Sequence, residues 1–592
     1  MQSVTKTMTR YQRTCRRWLI VLGCAGLIVA AHPATAQEAN QLAELSLEDL
    51  MNVKVETVVG ASKYRQRVTD APASVTIVTA EEIQRQQYRS LADVLRSVRG
   101  FYVTYDRNYS YIGTRGFIRP GDYNSRLLVL IDGHRLNDNI FGGALVGQEF
   151  PLDLSLIDRI EVIRGPGSAL YGSAAMFGVI NIITRQPAAM SGTTATVSTG
   201  GQDTGGVTLT HARVPQHGSA FLASLALYRT SGGSRLYYPE YAATPSGGFA
   251  IGRDRTQRID GLINAAHGGF ALQALYGLRE KHVPTASFGA IFDDPDTKTV
   301  DGQGYVDLTY NRAFREASEL STRVFLDDYR YSGYLPYDLD GTRVMNHDFA
   351  RGVWWGGESR LSKTLYRHHR VTGGFEFRDS LRQFQHNYDV EPYSEYLRDS
   401  RDLGFWSLYA KDEWRVHERV TLDLGIRRDG YTQFRNSLKP RVGLIVSPAR
   451  MTTVKLLYGQ AFRAPTVYEL YWRQADVTKS NPNLSHEEMT NTEVVVEQYI
   501  GSRWRLSANA FRYRLRDLVD QFEDTDGLLV YRNRGAVNGD GVELEVEGHW
   551  NDGLLLRASQ TLQRSTNALT GETLTNSPGR LFQASATVPL TA

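Results

Sequence analysis

From about residue 187 to the end of the chain, apolar and polar residues alternate. In Val420–Arg427 the even positions are apolar and the odd ones are polar or Gly, and in Val542–Trp550 three glutamates and His549 share one face. A period of two predicts β-strands with one apolar face and one polar face. About eighteen such segments follow one another, which predicts a mainly β structure.

The connections between these segments are alternately very short and very long. A soluble sandwich hides the apolar face of its strands, whereas a membrane barrel turns that face to lipid, so the period alone leaves both structures open. Short turns at one end and long loops at the other are typical of a transmembrane barrel. Short connections lie at 268–269, 367–369, 417–418 and 447–450, and long ones at 231–257, 327–348, 383–403 and 464–490.

Residues 70–186 have a different, mixed pattern. Ala73–Val78 reads as a strand, Thr79 as the N-cap of a helix, and Ser90–Arg96 as a second capped helix. The apolar run that ends at Ile131 predicts a buried strand. These residues are therefore predicted to form a compact α/β domain, preceded by a loose, extended lead-in over 37–69.

The first 36 residues carry five positive charges and no acid. Within them, the basic stretch is followed by a 14-residue apolar run from Trp18 to Ala31 and then by an Ala-Thr-Ala site. The run is shorter than the roughly 20 residues that span a bilayer as a helix, so residues 1–36 are predicted to be a signal peptide. Both cysteines lie in it. An exported chain without a later spanning helix is either soluble and secreted or a closed barrel in an outer membrane.

Composition and motifs exclude several classes of function. With 67 Lys and Arg against 64 Asp and Glu, the net charge of +3 is too small for a nucleic-acid binder. The chain has no Gly-x-Ser-x-Gly, no His-Glu-x-x-His and no P-loop, so no enzymatic activity is predicted. No cofactor and no metal site are predicted either.

Several motifs resemble the TonB-dependent outer-membrane transporters. Four segments resemble the plug-domain signature of that family, at residues 114–117, 128–133, 157–172 and 178–184. Barrel motifs resemble 458–466, 481–484 and 541–545. The resemblance implies a 22-stranded barrel (here 187–592) that encloses an N-terminal plug domain (70–186), because so wide a barrel needs a filler.

The resemblance also implies functional residues. The TonB box of the family is expected just before the plug, at Glu56, Thr57, Val58 and Val59. Through this box, TonB of the inner membrane would supply energy by strand addition. Two plug arginines are expected to meet two inward barrel glutamates, with Glu497 as an alternative to the first glutamate: Arg115, Arg164, Glu493 and Glu543. Outward-pointing plug loops are expected to contact the ligand through Arg107, Tyr109, Tyr111, Asn137, Asn139 and Phe141.

The predicted function is energy-coupled import of a scarce iron chelate, a ferric siderophore, across the outer membrane. A cobalamin transporter is the alternative, and a passive porin is a further one. Expected partners are TonB, outer-membrane lipid and a small-molecule chelate, with no nucleic acid. The last six residues, Thr587–Ala592, lack the terminal aromatic residue of the family and include Pro589, so the barrel is expected to be incomplete by about four strands.

Overall fold

The computed structural model describes residues 57–215, 218–314, 317–474, 477–550 and 553–589. The predicted signal peptide, most of the lead-in and Glu56 of the predicted TonB box lie outside the described residues. Among the helices of the described residues, none has the length and apolarity that crossing a membrane would need. The secondary-structure elements divide into a small N-terminal set and a large sheet.

The N-terminal set consists of short elements. Its strands are β1 (Thr57–Val58), β2 (Gln66–Arg67), β3 (Ser74–Thr79), β4 (Phe101–Tyr105), β5 (Ser110–Thr114), β6 (Leu127–Ile131), β7 (His134–Arg135), β8 (Ile157–Arg164) and β9 (Gly178–Thr184). Its helices are α1 (Ala80–Arg85), α2 (Leu91–Arg96) and α3 (Ser168–Tyr171), with 3₁₀ turns at Val68–Asp70, Leu154–Leu156 and Pro187–Met190. We call residues 37–69, of which 57–69 are described, the lead-in, and residues 70–186 the plug.

The plug is built on a five-stranded sheet with the order β3-β8-β9-β6-β7, in which only β6 and β9 run parallel. All five residues of β6 are buried, as expected for a continuous apolar strand covered on both faces. The predicted caps are present: the Thr79 side chain accepts from the Glu82 N–H, and Ser90 forms a capping box with Asp93. The main apolar core of the protein lies here.

The remaining chain is almost entirely strand. The strands are β10 (Gly192–Gly200), β11 (Thr204–Arg213), β12 (Ser219–Thr230), β13 (Arg235–Tyr237), β14 (Phe249–Ile251), β15 (Thr256–His267), β16 (Phe270–His282), β17 (Lys298–Phe314), β18 (Ser318–Leu339), β19 (Thr342–Leu365), β20 (His369–Asp389), β21 (Ser394–Arg401), β22 (Phe405–His417), β23 (Val420–Tyr431), β24 (Ser437–Ala449), β25 (Thr452–Arg463), β26 (Thr478–Lys479), β27 (Glu487–Ile500), β28 (Trp504–Glu523), β29 (Leu529–His549), β30 (Leu555–Asn567) and β31 (Arg580–Thr587). Helix α4 (Val467–Tyr471) and 3₁₀ turns at Pro239–Tyr241 and Ser287–Gly289 lie between strands.

Twenty of these strands form one sheet that begins at β10 and ends at β31 in the described part of the chain. Apart from the short strands β21 and β26, each strand pairs antiparallel with the next, and β13 pairs with β14 outside the sheet. The strands are joined by short turns at one end, such as Gly268–Gly269, and by long loops at the other, such as 231–255. We call these the short-turn end and the long-loop end.

Burial in the large sheet is the reverse of that in a soluble protein. On β29, Glu543, Glu545 and Glu547 are buried, whereas Leu544 and Val546 between them are 48% and 38% exposed. The same alternation recurs on the neighbouring strands, where large aliphatic side chains are exposed and carboxylates, lysines and arginines are buried. An apolar outer surface over a polar interior is what a membrane barrel requires, so the predicted fold class is confirmed.

The plug lies inside this barrel. Groups of the plug form hydrogen bonds or ion pairs with inward-facing side chains on strands spread over the sheet: Thr184 with Asn264, His134 with Asp307, the Leu170 carbonyl with Arg427, the Ala73 carbonyl with Lys455, Glu82 with Arg557, and the Arg96 carbonyl with Gln583. The plug therefore satisfies part of the polar interior of the barrel.

Candidate functional site at the plug–barrel interface

The four residues of the predicted plug–barrel ion pairs lie together in the structure. Arg115 donates to Glu493 through two parallel hydrogen bonds, from Nη1 to Oε1 at 2.7 Å and from Nη2 to Oε2 at 2.8 Å. The Arg164 Nε lies 3.6 Å from Glu543 Oε2, and the Arg115 Nε lies 3.9 Å from Glu543 Oε1. All four side chains are buried, so the charges are neutralised by one another and not by water.

Glu497, the alternative to Glu493, has other partners. Its carboxylate lies 3.1 Å from Lys455 Nζ and 3.0 Å from Arg505 Nη2, both on barrel strands. The carboxylate of Glu493 instead receives further hydrogen bonds from the amides of Asn491 and Asn509. The geometry therefore selects Glu493 as the carboxylate that meets Arg115.

Arg99 is a third arginine at this cluster, and the sequence reasoning missed it. Its Nε lies 3.4 Å from Glu543 Oε2, and its Nη1 lies 3.3 Å from Glu545 Oε1. The side chain is 1% exposed. Because Arg99 follows helix α2 in a stretch without a family motif, only the tertiary structure brings it to Glu543.

Two glycines permit the close approach of the plug backbone to the glutamates. Gly165 has φ +90°, and a Cβ there would lie 2.4 Å from Glu493 Oε1. Gly100 has φ +79°, and a Cβ there would lie 2.7 Å from Glu543 Oε1. Any other residue would displace the glutamates or strain the backbone, so these positions need glycine.

The described part of the predicted TonB box is folded against the plug. Thr57 and Val58 pair with Arg67 and Gln66 in a two-stranded hairpin, and Val58 is fully buried. The expectation of a loose lead-in therefore fails for residues 57–69, because β-branched side chains gain more by burial than the chain loses in entropy.

One buried carboxylate connects the lead-in to the plug sheet. The N–H groups of Val59 and Gly60 donate to Oε2 of Glu161, at 3.0 and 2.8 Å. Glu161 lies on β8, three residues before Arg164 of the ion cluster. A single strand therefore links the end of the predicted box to the plug–barrel ion pairs.

The lead-in also contacts the barrel wall directly. Lys63 Nζ lies 2.5 Å from Glu358 Oε1, and the Tyr64 hydroxyl donates to Glu413. Burial lowers the pKa of Lys63, and the Glu358 carboxylate opposes that effect. These contacts hold residues 57–69 at the short-turn half of the barrel.

Four of the six predicted ligand contacts form side-chain hydrogen bonds within the protein, and one of them is Asn139, whose amide donates to Ser380 Oγ at 3.2 Å. Tyr109 donates to Asp301 at 2.8 Å, Tyr111 donates to Asp106 at 2.9 Å, and both rings are buried. The Asn137 amide bonds the carbonyls of Leu127 and Gly142 and accepts from Val129. These side chains shape the plug loops more than they present free groups to a ligand.

Arg107, Phe141 and Asn139 lie toward the long-loop end of the lumen. Arg107 is half-exposed, 3.8 Å from Asp254. Phe141 packs edge-to-face on Tyr331, with ring centroids 6.0 Å apart. Asn139 lines a cavity together with Asn137.

This cavity has a volume of about 110 Å³ and lies between the plug loop 137–142 and barrel strands β20, β23 and β25. Arg135 and Arg378 both line it, and within the described residues neither arginine forms an ion pair. Burial, with Arg378 nearby, lowers the pKa of Arg135 to about 10, so that it stays cationic at neutral pH. The space suits one anionic group, since pockets for whole drug-sized ligands are several times larger.

His134 forms a further plug–barrel contact that the sequence did not indicate. Its Nδ1 lies 2.9 Å from Asp307 and its Nε2 lies 2.9 Å from Asp327, and the ring stacks on Tyr305. Burial lowers the pKa of His134, but the carboxylates of Asp327 and Asp307 outweigh burial, and the net shift is upward. Within the described ranges, no cluster of His, Cys, Asp or Glu is arranged to hold a metal ion.

Comparisons with known proteins agree with this architecture. Residues 67–179 match the family of TonB-dependent receptor plug domains, and residues 219–590 match the TonB-dependent receptor-like β-barrels. An iron-regulated outer membrane virulence protein of Vibrio cholerae is 26% identical over 493 residues, which is 78% of this chain and 69% of that protein.

Two solved structures share the fold. The pyoverdine outer membrane receptor FpvA of Pseudomonas aeruginosa has a TM-score of 0.70 at 15% identity, with 90% of this chain and 82% of that chain covered. The ferric yersiniabactin uptake receptor FyuA of Yersinia pestis has a TM-score of 0.68 at 16% identity, with coverage of 87% and 83%.

Proposed function

The chain belongs to the TonB-dependent receptors of the outer membrane, and on that premise we propose that it imports a ferric siderophore with energy supplied through TonB. The relatives named above support this ligand class, since one is iron-regulated and two are receptors for pyoverdine and ferric yersiniabactin. Import, in this proposal, is active, because a folded domain occupies the lumen.

The observation that carries the proposal is the buried ion cluster around Glu493 and Glu543. Removing one partner of a buried pair costs about 3–5 kcal/mol, so these contacts hold the plug firmly at rest. They also join two folded parts through polar contacts, which water can replace when the parts separate. The cluster therefore suits a plug that is held in place and displaced only when work is done on it.

Force reaches the cluster through a short path in this proposal. TonB would add a strand to the box at residues 56–59 and pull on its backbone. The N–H groups of Val59 and Gly60 would pass that force to Glu161, and β8 would carry it to Arg164. Hydrogen bonds to a buried carboxylate are charge-assisted and therefore stronger than neutral ones.

The ligand would engage the plug at the cavity beside Arg135 and Arg378. Two cationic groups without a carboxylate partner in the described chain favour an anionic ligand group, such as a carboxylate or a catecholate of an iron chelate. The cavity is too small for a whole chelate, so the rest of the ligand would lie above it toward the long-loop end.

The proposal is tested in a bacterial strain that lacks its own siderophore receptors. Expression of the chain should restore growth on one of a panel of ferric siderophores as the sole iron source. Val58→Pro, which removes a box N–H, should abolish growth on that siderophore and leave its binding to purified protein unchanged. Growth that depends on cobalamin instead, or uptake that survives the box variant, would overturn the proposal.

A further inference from the structure

A groove of about 810 Å³ runs over the lipid-facing surface of the barrel from β11 to β19. Its walls are outward-facing apolar side chains, and its floor is made by small residues that the strand register places between them. The walls are Leu209, Leu225, Ile263, Tyr276, Val306 and Leu326. The floor consists of Ala223, Gly261, Ala274 and Gly304.

The end of this groove toward the long loops is cationic. Arg330 and Arg351 stand directly opposite each other on β18 and β19. Asp328 pairs with Arg351 at 3.0 Å, and in the described chain Arg330 has no ion-pair partner. Like charges placed opposite each other across two strands repel, so one carboxylate for two guanidinium groups leaves an unbalanced positive charge.

These arginines lie where the apolar belt of the barrel ends. Along β18, the outward side chains change from Val324 and Leu326 to Asp328 and Arg330 toward the long-loop end. Along β16, Leu278 is the last apolar outward residue before Glu280. The cations are therefore level with lipid headgroups, and the groove below them is level with acyl chains.

We propose that this groove binds a membrane lipid with an anionic phosphate headgroup. One acyl chain lies over Gly261, where the missing side chain leaves room, and the phosphate lies between Arg330 and Arg351. A guanidinium group binds a phosphate with two parallel hydrogen bonds, and a phosphate supplies the negative charge that the arginine pair lacks. Both halves of the amphiphile thus meet surfaces of matching chemistry.

The test is native mass spectrometry of the full chain in a neutral detergent, titrated with phosphatidylglycerol, phosphatidylcholine of the same acyl chains, and inorganic phosphate. We expect phosphatidylglycerol to bind roughly tenfold more tightly than phosphatidylcholine, and inorganic phosphate not to compete. The double variant Arg330→Gln/Arg351→Gln should lose this preference. Arg312→Gln, an outward arginine at the opposite end of β17, should keep it.

The groove itself is tested by filling it. A Cβ on Gly261 would lie 4.0 Å from its nearest neighbours, so Gly261→Leu fits and should weaken binding of both lipids roughly tenfold. Gly373→Leu is the matched control. Gly373 is an outward-facing position on β20, outside the groove, and a Cβ there would meet nothing within 4 Å. Heat-modifiable gel mobility shows that each variant is folded. Lipid binding that is the same in Gly261→Leu and Gly373→Leu, or a preference for phosphatidylglycerol that survives the double arginine variant, would overturn the proposal.

Discussion

Arg115 of the plug and Glu493 of the barrel are joined by two parallel hydrogen bonds of 2.7 and 2.8 Å in a site that excludes water. The residues are 378 positions apart in the chain. Their contact places a charge-assisted bond between the part that must move and the part that must stay in the membrane.

We predict that Glu493→Ala destabilises the seated plug by about 3–5 kcal/mol, because it leaves Arg115 buried without a carboxylate partner. The double variant Arg115→Met/Glu493→Met should recover most of that loss, since two apolar side chains leave no buried charge. Urea unfolding of the purified protein measures both values. Arg67→Gln, which breaks an exposed ion pair with Asp70, is the control and should cost at most about 1 kcal/mol. A cost for Glu493→Ala no larger than that of Arg67→Gln would contradict the prediction.

Removal of residues 37–186 should open a channel. Without the plug, the lumen of the barrel is lined by charged and polar side chains and would fill with water. Conductance across a planar bilayer should be absent for the full chain and large for the shortened one. A passive porin would behave differently, with the full chain already conducting and the deletion changing little.

We expect the seating of the plug to weaken as the pH rises above about 6.5, through His134. The pKa of His134 is raised above its usual 6.5, so the stabilisation is complete below about pH 6.5 and is lost as the pH rises through the raised value. Melting temperatures across a pH series measure the effect. The histidine faces Asp307, Asp327 and, through Asp307, Arg323.

Two histidine variants complete this measurement. His134→Gln should remove the decline in melting temperature that follows deprotonation of His134. His368→Gln alters an exposed histidine in a short turn and should keep the decline. Equal pH profiles for wild type and His134→Gln would rule out the contribution of His134.

Arg378→Gln should weaken binding of the imported chelate roughly tenfold, because the lost guanidinium is one of two cations at the cavity. Quenching of tryptophan fluorescence on ligand addition measures the dissociation constant. Arg450→Gln, in the exposed short turn between β24 and β25, is the matched control and should leave affinity unchanged. Undiminished affinity in Arg378→Gln would exclude an anionic group at this cavity.

Glu161→Gln should reduce import while leaving ligand binding intact. The amide accepts more weakly than a carboxylate, so the connection from Val59 and Gly60 to β8 is weaker when TonB pulls. Uptake of radioactive iron and equilibrium binding separate the two effects. Glu240→Gln changes an exposed carboxylate in a long loop and should alter neither. Normal uptake in Glu161→Gln would show that force reaches the plug by another path.

The alternation in Val542–Trp550 was enough to place Glu543 and Glu545 on one face, because the direction of a side chain in a strand depends only on its position. Whether that face points to water, to a core or to a lumen depends on what fills the sheet. The buried glutamates and the exposed Leu544 show that the polar face points into the lumen. The tertiary structure, with the plug in the lumen, was needed to see this.

Only part of the candidate site could be predicted from the sequence. Arg115, Arg164, Glu493 and Glu543 followed from motifs, and the structure brings them together, although their role stays a prediction. Arg99 and His134 carried no such signal, because their partners on the barrel are distant in the chain. The burial of Tyr109 and Tyr111 was equally hidden, since a tyrosine in a loop segment suits either a ligand or an internal carboxylate.

The local sequence was enough to predict the family, the division into plug and barrel, and the two faces of each strand. All of these depend on residues that are close together in the chain. The choice of Glu493 over Glu497, the convergence of three arginines near Glu543 and the cavity beside Arg135 arose only when the sheet curved around the plug. Ion pairs inside the lumen are selected by distances across that space, and no short-range pattern of residues encodes those distances.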